Sequence, residues 1–253
     1  MTVCVDIGNT NIVCAVEDNG RWNKPFRVFT DTKKTGDEYY AIFSSLFSLR
    51  GVDTENVEKV IISSVVPFLT RSIEKNMEKL FGHKPIMVSH SVESGLNRES
   101  IPQELGSDLL CNMAYAHSHH PEGPVMVIDF GTALTFSTVS GNGEVLGVAI
   151  APGLVTAVNA LFGATAQLPQ VELKVPDTVL GRDSMGSIRA GIMDGYSGLV
   201  ERIIQKTEEE LGEKIHVMAT GGLSSTISKI IPRLDEVDPI LTLKGLALIA
   251  DKN

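Results

Sequence analysis

Cysteine, aromatic side chains, positive charge and long apolar runs are all in short supply in this chain of 253 residues. Its three cysteines, Cys4, Cys14 and Cys111, are odd in number, widely spaced and set on apolar segments. That pattern excludes a disulfide frame and shows no metal-ligand spacing; it reads as buried free thiols in a reducing cytoplasm. No apolar run approaches the roughly 20 residues of a membrane span. The first apolar segment is broken by Asp6 and Asn9, unlike a secretory leader. With 22 Lys and Arg against 31 Asp and Glu the net charge is −9, which argues against general binding to nucleic acid or to anionic membranes. The remaining composition, 43% hydrophobic and 21% charged, is that of an ordinary soluble globular protein. The length allows one large domain or two of about 125 residues, either able to bury a core.

What is present is organised around Val125-Met126-Val127-Ile128-Asp129-Phe130-Gly131-Thr132-Ala133-Leu134-Thr135-Phe136. Four apolar residues read as a short buried strand ended by a carboxylate. Glycine lets the backbone turn sharply, and the hydroxyls and amides behind it can face a phosphate. A second copy opens the chain: Val3-Cys4-Val5-Asp6-Ile7-Gly8-Asn9-Thr10-Asn11-Ile12-Val13. A shift of 123 positions lays Asp6 on Asp129, Gly8 on Gly131, Val13 on Phe136, Val16 on Val139 and Gly20 on Gly143. One such hairpin is commonplace; two, at the heads of two halves, predict an internal duplication with both tips facing one cleft.

In chain order, a third strand is expected near Phe26–Phe29, an amphipathic helix over Asp37–Leu49, a strand over Lys59–Val65, a helix from Pro67 to about Phe81 and a strand at Pro85–Val88. A polar loop then leads to Gly106-Ser107-Asp108 and another helix. Asp108 falls at its start, where an N-cap aspartate is common. His117, His119 and His120 at the helix end can bind metal, but read more readily as a solvated terminus favoured by the helix dipole. In the second half, Val145–Ile150 reads as a strand, Leu154–Phe162 as a helix, and Gly181–Gly195 as the opening of a helix running past Ile204. Ile215–Gly222 reads as a strand entering a double-glycine turn. Asp238-Pro239 and Gly245-Leu246 are expected to bracket the final helix. The halves divide at 1–116 and 117–253, each a three-layer α/β domain.

Asp6-Ile7-Gly8-Asn9-Thr10-Asn11, Gly106-x-Asp108, Asp129-Phe130-Gly131-Thr132-Ala133, Pro152-Gly153, Thr220-Gly221-Gly222 and Asp238-Pro239 with Leu243-x-Gly245-Leu246 resemble, in the same order, the motifs of type III pantothenate kinase. The resemblance implies an α/β fold of duplicated ribonuclease H-like, actin-like ATPase domains about a central cleft. It implies ATP-dependent phosphorylation of pantothenate to 4'-phosphopantothenate, the first step of coenzyme A biosynthesis, with Mg2+ and a monovalent cation (K+ or NH4+), in a cytoplasmic homodimer. By the same resemblance Asp6 orients metal and phosphates, with Gly8, Asn9, Thr10 and Asn11 beside it. Gly131, Thr132 and Ala133 form a second phosphate loop, Asp129 lies near the cation, and Thr220, Gly221 and Gly222 flank the adenosine. Asp108 is then the catalytic base, with Gly106, Ser107 and Ser184 on the substrate side.

Departures gather on that substrate side. Leu109 stands where the family carries arginine, Glu99 where it carries tyrosine, Asp183-Ser184 where it reads Asn-Thr, and Gly147-Val148 where it has two glycines. Loss of a charge-assisted hydrogen bond, at roughly 1.5–3 kcal/mol, is expected to weaken a carboxylate substrate unless Arg98 or Arg182 compensates. Two alternatives follow: a kinase of the same superfamily acting on another small alcohol, and a nucleotide-binding homologue that no longer transfers phosphate.

Overall fold

The computed structural model describes residues 1–163 and 171–253. These divide into two compact units, Met1–Tyr115 with Leu241–Asn253, and Ala116–Ile240. The first unit runs β1 (Thr2–Ile7), β2 (Asn11–Asp18), β3 (Arg21–Trp22), β4 (Phe26–Phe29), α1 (Gly36–Leu49), β5 (Lys59–Ser64), α2 (Pro67–Phe81), β6 (Ile86–Met87) and the greater part of α3 (Ser107–His119). β1 pairs antiparallel with β2, which carries β3 and β4 on its far side, and parallel with β5, which pairs parallel with β6. Parallel neighbours need long crossovers, and α1 and α2 provide them. α1 starts where Thr35 and Glu38 cap each other's backbone N–H groups, and α2 starts on Pro67. The inward faces of both helices bury Tyr39, Phe43, Phe47, Leu69, Ile73 and Met77 against the Val3-Val5-Ile7 face of β1.

The second unit runs β7 (Val125–Phe130), β8 (Ala133–Val139), β9 (Val145–Pro152), α4 (Leu154–Gly163), α5 (Ser184–Leu211), β10 (His216–Thr220), α6 (Ser224–Ile227) and β11 (Glu236–Val237). Its sheet order, β11-β10-β7-β8-β9, has the connectivity of the first sheet: a central strand with an antiparallel hairpin on one side and parallel strands on the other. β1 and β7 are related by the 123-residue shift at both ends and have one burial pattern, four buried residues, a half-buried aspartate and a buried residue. The matched turn glycines Gly20 and Gly143 both adopt positive φ, 81° and 78°, a conformation that favours glycine. The repeat read in the sequence is therefore a repeat of topology.

Two expectations are corrected by the closing helix, α7 (Leu241–Lys252). It belongs with the first unit rather than with 117–253. Lys59 Nζ donates to the Ala250 carbonyl (2.5 Å) and Thr242 Oγ1 to Asn112 Oδ1 (2.8 Å). Gly245 and Leu246 lie inside the helix instead of ending it. A Cβ at 245 would stand 2.1 Å from the Cys111 carbonyl oxygen, so the glycine serves close packing on α3. The three cysteines are buried and free, with burial pushing their thiols up.

In the second unit, the end of α5 is tied down by Glu208, whose side chain is nine-tenths buried. It accepts from Arg233 Nη2 (2.6 Å) and Lys214 Nζ (2.8 Å), and the Arg233 bond foremost lowers its pKa from 4.5 to about 2. A depressed carboxylate stabilises the fold above its unfolded pKa and loses that contribution as pH falls toward the folded value. Glu208→Gln is expected to cost roughly 1.5–3 kcal/mol at neutral pH. The gap to wild type should close as pH drops from about 4.5 to about 2. Urea unfolding across that range checks this; a gap independent of pH would mean the ion pair contributes nothing.

Candidate active site

Each central strand delivers an aspartate to a hairpin tip. In the first unit Asp6 pairs with Val13, and Gly8 N donates to the Asn11 carbonyl (3.0 Å) to close the turn. Thr30, just after β4, pins the tip from the side. Its Oγ1 donates to the Gly8 carbonyl (2.6 Å) and its N–H to the Thr10 carbonyl (2.9 Å). Asn9 and Thr10 remain exposed.

The neighbouring strand brings the second group of residues. Asp6 and Ile7 of β1 lie beside Ser63 and Ser64 of β5. Ser107 at the start of α3 docks there: its Oγ lies 2.9 Å from Ser63 Oγ, accepts from Ser64 N (2.9 Å) and donates to the Ser64 carbonyl (3.1 Å). The structure thus gathers Asp6, the Gly8–Asn11 turn and Gly106-Ser107-Asp108 at one end of one sheet. Asp108 is the second residue of α3, not its N-cap, and its Oδ1 accepts from Leu109 N (2.8 Å). Burial raises its pKa, opposed by that N–H. A carboxylate so destabilised is a stronger proton acceptor than a solvated one. Asp6 and Asp108 both lie near enough to Cys111 to push its thiol further up, after burial.

Beside Gly106 and Ser107 opens a cavity of about 370 Å³ whose wall includes Ser64, His90, Gln103 and Glu104. Leu109 is buried, only 7% exposed, whereas Arg98 and Glu99 are exposed on a short 3-10 turn. Arg182 is exposed too; next to it Asp183 caps α5 by accepting from Gly186 N (2.7 Å), so Ser184 is that helix's first residue.

In the second unit the exposed tip is Thr132-Ala133, and it is held in the same manner. The Thr132 carbonyl accepts from Gly153 N (3.0 Å) and Thr156 Oγ1 (2.6 Å). Thr220 pairs with Asp129 across β10 and β7. It is buried. Gly221 has φ 93°, and a Cβ there would stand 2.4 Å from Asp129 Oδ1. Only glycine lets this turn lie against Asp129 and the Phe130 backbone. Gly222 beyond it is exposed.

The sequence reading missed Thr30, Ser63 and Ser64, which hold the site together, and His90 and Gln103 on the cavity wall. The strand ending in Ser63-Ser64 was the one legible signal. Among the described residues no three protein ligands gather at Asp6 or at Asp129. That donor set fits Mg2+, which takes one or two carboxylates and completes its shell with water and phosphate oxygens.

A family model described as type III pantothenate kinase matches residues 2–206. Proteins named type III pantothenate kinase from Moorella thermoacetica and Myxococcus xanthus are each 40% identical to this chain over its whole length, and over 100% and 99% of theirs. Among solved structures, ethanolamine utilization protein EutJ from Carboxydothermus hydrogenoformans is similar at 16% identity and TM-score 0.52, covering 98% of this chain and 89% of its own. That likeness carries the fold alone, the actin-like ATPase class of two ribonuclease H-like units. On the family model and the full-length relatives, the chain belongs to the type III pantothenate kinase family.

Proposed function

We propose that this chain phosphorylates pantothenate with ATP to give 4'-phosphopantothenate, the first step of coenzyme A biosynthesis. The observation that carries the reading is the gathering of the Gly8–Asn11 tip, Asp6 and Asp108 at one end of the first sheet. Phosphoryl transfer asks a protein mainly to position reactants and to offset charge. The Gly8–Asn11 tip of the first unit and the Gly131–Ala133 tip of the second are each suited to receive phosphate, and Asp6 would hold Mg2+, whose charge would offset that of the triphosphate. Asp129 serves the monovalent cation, K+ or NH4+, and the Gly221-Gly222 turn receives the adenosine. Asp108 accepts the proton of the pantothenate hydroxyl as its oxygen attacks phosphorus.

The acceptor lies in the cavity beside Ser107. Buried Leu109 is no donor there, so the pantothenate carboxylate takes its hydrogen bonds from His90 and Gln103. The enzyme works in the cytoplasm; no helix among the described residues is long and apolar enough to cross a membrane. Its partner is a second copy of itself. Leu146, Val148 and Ile150 alternate along the edge strand β9 and are 42%, 37% and 68% exposed, a stripe of the kind that marks an interface.

Three measurements test this reading. Asp108→Asn should lower kcat by about 10²–10⁴-fold with nucleotide affinity kept; unchanged turnover would leave Asp108 a helix-terminus residue only. His90→Ala with Gln103→Ala should raise the pantothenate KM about tenfold or more, sparing that for ATP. An unchanged KM would move the acceptor out of the cavity. Ile150→Asp should halve the mass seen by light scattering, whereas a monomeric wild type would refute the β9 interface.

A further inference from the structure

The histidines closing α3 do not all end in solvent. His120 turns onto β10, where its ring stacks on that of His216, centroids 3.8 Å apart at 27°. Its Nε2 lies 3.5 Å from Glu236 Oε2 on β11. That spacing is close to the edge of a tetrahedron built on 2.0–2.1 Å bonds, about 3.4 Å. One ligand atom from each of His120, His216 and Glu236 falls within 4.8 Å of the others. His216 Nε2 is buried with no hydrogen-bond partner, while its Nδ1 faces Asp235 Oδ2 at 3.7 Å. A carboxylate beside the outer nitrogen is the usual companion of a metal-bound histidine. An adjoining cavity of about 240 Å³, lined also by Glu122 and Glu213, offers an entry. Lys214 on its wall is engaged by Glu208 at 2.8 Å.

From this cluster we propose that His120, His216 and Glu236 form a binding site for a divalent transition-metal ion of the zinc class, with water as fourth ligand. Two imidazoles and one carboxylate suit zinc over magnesium, which prefers oxygen ligands. Binding turns the His120 ring, one-third exposed, out of its stack so that both nitrogens converge. The site is apart from the phosphate loop. His216 pairs with Val125 and Thr220 with Asp129, four residues along, or about 13 Å. The ion is therefore a brace, tying the two-residue strand β11 and the α3–β7 connection to β10, and takes no part in phosphoryl transfer.

Full-length protein stripped with chelator and titrated with zinc chloride in a calorimeter should bind one ion per chain. The paired change His120→Ala, His216→Ala should weaken that binding by about a hundredfold or more, since even an outer partner can be worth that much. His119→Ala should leave it unchanged. Cobalt(II) should give a tetrahedral visible band in wild type and none in the paired variant. Zinc should raise the melting temperature of wild type only. Asp235→Asn, milder to the fold, should weaken zinc binding without abolishing it. Absence of stoichiometric zinc uptake, or uptake kept in a folded paired variant, overturns the proposal. Turnover of ATP and pantothenate, where wild type shows it, should persist in the paired variant; its loss would overturn the brace.

Discussion

The structure depends on two carboxylates set at the ends of dry strands. β1 and β7 each bury four residues and then place an aspartate one position from the strand end. A carboxylate is costly to bury among apolar neighbours, and at that point each strand gives way to a turn. A tight glycine turn follows, and Thr30, just after β4, and Thr156, in α4, fix it by bonding tip carbonyls. The core holds the strand, the threonine holds the tip, and the aspartate is left at the mouth. Both halves solve the same problem with the same parts.

This explains why the centre of the site was legible and its surroundings were not. Strand, aspartate, glycine and small polar residues are contiguous, so their meaning survives in sequence, and the repeat doubled the signal. Helices with strong apolar periodicity, such as Asp37–Leu49 and Pro67–Phe81, were legible for the same local reason. What failed was non-local. Glycine at 245 looked like a helix boundary because its close approach to Cys111 joins positions 134 residues apart in the chain. His120 looked solvated because its companions are His216 and Glu236. The docking of Ser107 on Ser63 and Ser64 likewise spans more than 40 residues. The alternative reading of Asp108 as a cap missed by two positions, the scale on which helix ends are least certain.

The two ends of the second sheet have taken different roles. Ligands of parallel α/β sheets gather beyond the carboxyl ends of the strands. Asp129, Thr220 and the glycine turn all lie at that end of β7 and β10. At the amino ends the histidine stack sits beside a two-residue edge strand. Such a strand has little ladder of its own, so side chains must hold it. A brace at the far end leaves the phosphate turns free to be shaped by their hydrogen bonds alone.

Leu109 deserves to be weighed together with the aspartate it follows. An arginine near Asp108 would pull its carboxyl down by direct charge attraction. Leucine, buried at this position, leaves burial as the leading influence, and burial pushes the carboxyl up. The same replacement therefore acts on two quantities with opposite sign. It removes a donor that could hold an acidic substrate, and it leaves the proton acceptor more basic than a salt-bridged one. In the proposed reading, acceptor binding falls to polar groups on the cavity wall, and a carboxyl pushed up by burial is the stronger proton acceptor. On this view the departure from the family's usual arginine redistributes the work of the site between binding and chemistry, and does not dismantle it.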